Sequence, residues 1–129
     1  MSVTLTAQDQ ATVRTAAYGA VSLLAAADSK PHKAATAGSL ALMASTGTVG
    51  HVLAAKAKDI TLSGKSVAEL ADRVLPALTD AVALLERQDP AEADNFRSTV
   101  LVAVEAATTT PGPVTGEMTR KITAALHAA

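Results

Sequence analysis

The side chains in this sequence that could do chemistry are thinly spread. Histidines stand at His32, His51 and His127, and none lies three or four residues from another, the spacing that sets two imidazoles on one helical face as metal ligands. No cysteine is present, which excludes a thiolate metal site, a thiol nucleophile, an iron–sulfur cluster and a disulfide framework. His51 lies between Gly50 and Val52 in a stretch free of charge, where it could line a cavity together with Tyr18, the single tyrosine. A satisfied, half-buried imidazole is the plainer reading of the same residue. His32 and His127 fall at expected helix ends and are expected in solvent.

Carboxylates gather in the second half, from Glu69 to Glu117. Glu69 and Asp72 share a helical turn and Glu92 and Asp94 nearly do, but no histidine completes a di-metal pattern of the Glu-x-x-His kind. Most fall near a helix start or on a polar face, where the helix dipole and water account for them. Ser63-Gly64-Lys65-Ser66 ends like a phosphate-binding loop. That loop wants glycine where Asp59 stands and a strand before it, and Ser66 as a helix cap explains the same letters. No catalytic residue, metal or cofactor is assigned from the sequence.

Charge is unevenly divided along the chain. Residues 1–65 carry six Lys/Arg against three Asp/Glu and residues 66–129 carry five against nine, which recovers the net charge of -1. Lys30, Lys33, Lys56 and Lys58 form a basic group with no acid between them. Nucleic-acid binding would call for more arginine and for stacking aromatics, so the basic segment is read as packing beside the acidic half of this chain or of a partner.

The elements that must position these residues are helices. With 129 residues, 49% of them hydrophobic and 2% aromatic, the chain suits one domain whose core is built from alanine, leucine and valine. Alanine is the best helix former, and the alternation of β-branched and aromatic residues that marks a strand is missing. Thr6-Ala7-Gln8-Asp9 predicts a capped helix from about Ala7 to Ala27 with a stripe of Val13, Ala17, Ala20, Val21 and Leu24. Asp28-Ser29-Lys30-Pro31 breaks it, with Asp28 or Ser29 as the next cap.

A second helix is expected from Lys30 towards Ala57. Gly47 and Gly50 weaken its middle, but Val49, Val52 and Leu53 keep one stripe alive, so a continuous or kinked helix is preferred to a break. A third starts at the Ser66–Glu69 box and keeps its stripe through Pro76, where a kink or an in-line restart is expected. On that reading the bend serves packing, and Pro76→Ala is expected to cost about 1 kcal/mol. A fourth begins at Asp89-Pro90 with Phe96, Val100, Ala103, Val104 and Ala107 inward, and a fifth runs from Pro113 or Val114 to about His127.

Ala34 to Ala55 runs about 22 residues without formal charge, close to the roughly 20 that a membrane span needs. Its threonines, serines, glycines and few bulky aliphatics fit a buried helix better, so no membrane is expected. Leu24-Ala25-Ala26-Ala27-Asp28 resembles a helix end of tellurite-resistance helical domains over a short stretch, but Ser29 replaces the glycine of that pattern and lysines replace its acid, and no family follows from it.

The sequence therefore predicts an all-α, compact bundle of about five helices in one domain. A helix small and charge-free all round must be buried all round, and five short helices leave the Ala34–Ala55 run short of cover. A homodimer follows as the expectation, with Ser39, Met43, Gly47 and Gly50 at the interface and a non-catalytic, cytoplasmic role in protein–protein contact. The alternative is a small-molecule-binding bundle with its pocket near His51 and Tyr18.

Overall fold

The computed structural model describes residues 5–55 and 66–129. They form six helices: α1 (Ala7–Ala27), α2 (Pro31–Met43), α3 (Gly47–Ala54), α4 (Val67–Gln88), α5 (Pro90–Ala107) and α6 (Pro113–Leu126). The starts follow from local chemistry. The Thr6 hydroxyl accepts from the Asp9 amide and the Asp9 carboxylate accepts from the Thr6 amide, a reciprocal capping box. Ser66 accepts from the Glu69 amide at the head of α4. Asp89 both ends α4, its amide donating to Leu85, and caps α5 by accepting from Ala91.

The sixth helix exists because the expected run from Lys30 to Ala57 is broken. Ala44 closes α2 by donating to the Leu40 carbonyl, and the chain turns through Ser45 and Thr46 before re-entering helix at Gly47. Gly47 has φ +77°, a region open to glycine at little steric cost. Gly50 then permits the turn to fold back, since a Cβ there would meet the Ser45 carbonyl oxygen at 2.3 Å. The two glycines decide the matter over the apolar stripe that argued for continuity.

Pro76 lies within one uninterrupted helix, so α4 does not stop and restart there. Its ring is exposed, while Val74 and Leu78 on either side are fully buried.

The enclosed element is α1 rather than the Ala34–Ala55 run. It packs against each of the other helices, and Val13, Ala16, Ala17, Ala20, Leu23 and Leu24 all have no exposed surface. Alanines allow that density of neighbours, because each adds one methyl group to the space between helices. α2 buries only Ala34, Gly38 and Leu42, and leaves Leu40 and Met43 outside. Gly38 brings α2 close to its neighbours: a Cβ there would lie 2.7 Å from Val21 of α1 and 3.1 Å from Ala107 of α5.

The buried side chains join into one hydrophobic cluster in which Phe96 is the largest fully buried residue. Burying a side chain of that size contributes about 1.5–3 kcal/mol. Polar ties fix the helices around the cluster. Arg97 on α5 donates to the Leu126 carbonyl of α6 and pairs with Glu86 of α4 at 2.9 Å. Thr79 of α4 donates to the Ala125 carbonyl of α6 at 2.7 Å. Among the described residues no helix is long and apolar enough to cross a membrane.

Candidate functional site

The two residues expected to line a pocket differ in exposure. Tyr18, on α1, is half-buried and donates its hydroxyl to the Leu53 carbonyl at 2.7 Å. Burial raises its pKa above the ordinary 10.0, so the phenol stays protonated and is used as a donor to the end of α3. His51 is exposed on α3, not half-buried as expected, because the short helix turns Val49, Val52 and Leu53 inward and leaves His51 on its outer side. His32 and His127 are exposed too. Among the described residues no group of three or more histidines and carboxylates could hold a metal ion.

The four expected interface residues separate in the same way. Met43 is 55% exposed and Ser39 is half-buried. Gly47 is exposed at the head of α3, while Gly50 is buried against its own chain at Ser45. Gly38 does admit neighbouring helices, and they are α1 and α5 of the same chain. Lys30 and Lys33 are exposed at the head of α2, and Ser63-Gly64-Lys65, Lys56 and Lys58 lie outside the described residues.

A concave surface does occur, between α2 and α5. The two helices run antiparallel, with Gly38 beside Ala107 at one end and the Thr46 carbonyl accepting from Asn95 at the other. Between these points a cavity of about 330 Å³ is lined by Ala41 and Ala44 on one side and Ser98, Thr99 and Val102 on the other, with Asn95 closing it. None of its lining residues is charged. Leu40, 61% exposed, stands beside its α2 wall, and Val102, 59% exposed, forms part of its α5 wall.

Small side chains make the groove. Alanine on α2 and serine and threonine on α5 fall short of filling the space between two helix surfaces, and a groove of this size matches the lower end of small-ligand pockets. Its chemistry is that of a neutral, largely methyl-lined trough with hydroxyl and amide groups at one end. Ser45, Thr46, Ser98 and Thr99 supply its hydroxyl groups and Asn95 its amide.

Two polar constellations outside the groove had no signal in local sequence. Asp28, at the end of α1, accepts from the amides of Lys30, Thr109 and Thr110 and from the Thr109 hydroxyl. It thereby joins the α1–α2 turn to the α5–α6 loop, and α2 is left with Lys30 at its cap position and no side-chain cap, in place of the expected Asp28 or Ser29. Glu92, in the first turn of α5, accepts from the Val49 amide of α3 at 2.9 Å. Both carboxylates satisfy backbone donors that are distant in sequence, which spacing along the chain cannot reveal.

No family model matches this chain, and no curated protein and no solved structure shows significant similarity to it.

Proposed function

We propose that the chain is a non-catalytic, cytoplasmic helical protein that acts through protein–protein contact, in the first instance with a second copy of itself, and that the α2/α5 surface is the contact face. One observation carries this reading. Val102, more than half exposed, lines a groove without charge, and Leu40, next in sequence to Ala41 of its α2 wall, is more than half exposed too; apolar side chains at a concave, uncharged surface are characteristic of contact surfaces. Of the residues expected at an interface, Met43 adjoins this face one turn from Leu40 and remains part of the proposal.

The second reading, a small-molecule site, draws its support from the volume of the same groove rather than from Tyr18 and His51. Its uncharged lining favours a neutral ligand over an anion or a cation.

Sedimentation velocity across the micromolar range separates the two. Dimer formation supports self-association; a chain that stays monomeric at every concentration removes it, and a thermal-shift series with neutral amphiphiles then tests the groove as a ligand site.

A further inference from the structure

We propose that α3 is a docked cover that opens as a unit, ahead of the rest of the bundle, about the hinge from Ala44 to Gly47. α3 has eight residues, and isolated helices shorter than about 12–15 residues are marginal in water. Among the described residues, both of its ends are tied to other helices of the bundle. Thr46, its cap residue, makes no side-chain bond to it. The first-turn amide of Val49 is answered by Glu92 of α5 at 2.9 Å, and the Thr46 carbonyl accepts from the Asn95 amide at 2.9 Å as well as from the Gly50 amide of α3. At the other end, the carbonyls of Val52 and Leu53 accept from Arg14 and Tyr18 of α1.

Because these bonds cross between helices, the helical state of α3 and its docking are one event. Lifting it away breaks the bonds at both ends together and uncovers Val49, Val52 and Leu53, all buried when it is seated. α1, α4 and α5 differ in this respect: each is at least 18 residues long and is capped by the residue just before it, Thr6, Ser66 or Asp89.

The hinge is built to allow the clamp to close. A Cβ on Gly47 would lie 3.0 Å from the Asn95 amide nitrogen and 3.0 Å from a Glu92 carboxylate oxygen, and the +77° φ is one that side chains rarely adopt. A side chain there would be strained by that φ and would crowd the Glu92 and Asn95 groups that hold the head of α3. Opening would expose an apolar seat on α1, α2 and α5, the helices that α3 packs against, long enough for little more than two helical turns. This device is independent of whether the α2/α5 face binds a second copy.

Native-state amide exchange on the full chain, followed residue by residue through a low-denaturant series, tests it. In the wild type the amides from Val49 to Ala54 should exchange about tenfold or more faster than those at the centre of α1 and α4, with little dependence on denaturant, the signature of a local opening. Glu92→Ala and Tyr18→Phe, which loosen opposite ends, should each speed α3 further while leaving α1 and α4 unchanged. Matching rates and denaturant dependence in α3 and α1 would overturn the proposal, as would a Glu92→Ala chain in which every helix speeds up alike. Should either variant fail to fold, the wild-type denaturant series alone decides.

Discussion

Asp28 and Thr109, 81 residues apart in sequence, meet with the threonine hydroxyl donating to the carboxylate at 2.6 Å. That bond is the main reason the Asp28 carboxyl is held at about 2, below its ordinary 3.8, and the backbone amides of Lys30, Thr110 and Thr109 add to it. A carboxylate whose pKa is lower in the folded state stabilises the fold above the unfolded pKa and loses that contribution as pH falls through the folded one. The Asp28 contribution is therefore complete above about pH 4 and fades towards pH 2. Asp28→Asn should lower the melting temperature at pH 7, and the gap between variant and wild type should narrow steadily between pH 4 and pH 2. A gap of constant size would show that the ionised form is not what matters.

Gly38→Ala sets two effects against each other. Alanine gains about 1 kcal/mol over glycine inside a helix, whereas overpacking a well-filled site typically costs about 1–3 kcal/mol. The new methyl would fall 2.7 Å and 3.0 Å from the two methyl groups of Val21 and 3.1 Å from Ala107. Val21 is β-branched, so its methyl groups have little rotamer freedom with which to withdraw. Net destabilisation of about 1 kcal/mol is expected, read from the midpoint of urea unfolding.

The groove gives a separate test through charge. Leu40→Glu and Val102→Glu place carboxylates on this face at positions already open to solvent, so each should leave the monomer's stability within about 0.5 kcal/mol. Two copies meeting on this face would bury those charges unpaired, which is strongly unfavourable. Sedimentation should then show weaker association for both variants and for neither should the helical circular dichroism change. Equal association of Val102→Glu and wild type would move the contact elsewhere.

Features fixed by neighbours in sequence were legible before the fold. Thr6 with Asp9, Ser66 with Glu69 and Asp89 before Pro90 each announced a helix start, because a cap is a contact over two or three residues. Val13, Phe96, Val100 and Ala103 fell inward as their spacing required. The break between α2 and α3 was visible in composition and read the other way. Val49, Val52 and Leu53 are indeed buried, but a stripe records which side chains face the core and does not say that one helix carries them all. The groove was not legible, since it depends on which alanines of α2 face which residues of α5. The roles of Asp28 and Glu92 were hidden for the same reason: their partners lie 81 and 43 residues away.

Pro76→Ala gives the last test, and the exposure of Pro76 argues for the opposite sign to the one expected from sequence alone. An interior proline removes the bond to the carbonyl four residues earlier, here Asp72, and crowds it, at roughly 3 kcal/mol relative to alanine. That penalty would be tolerated if the ring filled core space, but Pro76 faces solvent while Val74 and Leu78 do the packing. Replacing it with alanine restores a backbone donor inside a continuous helix and removes no buried surface. Some of the gain is lost because proline also restricts the unfolded chain, an effect of about 0.4–1 kcal/mol in the other direction. The helix itself must also adjust its path against α1, the neighbour it packs on most extensively. Net stabilisation of about 1 kcal/mol is expected, seen as a raised thermal midpoint. A lowered midpoint would show that the course Pro76 imposes on α4 is needed to seat Val74 and Leu78 in the core.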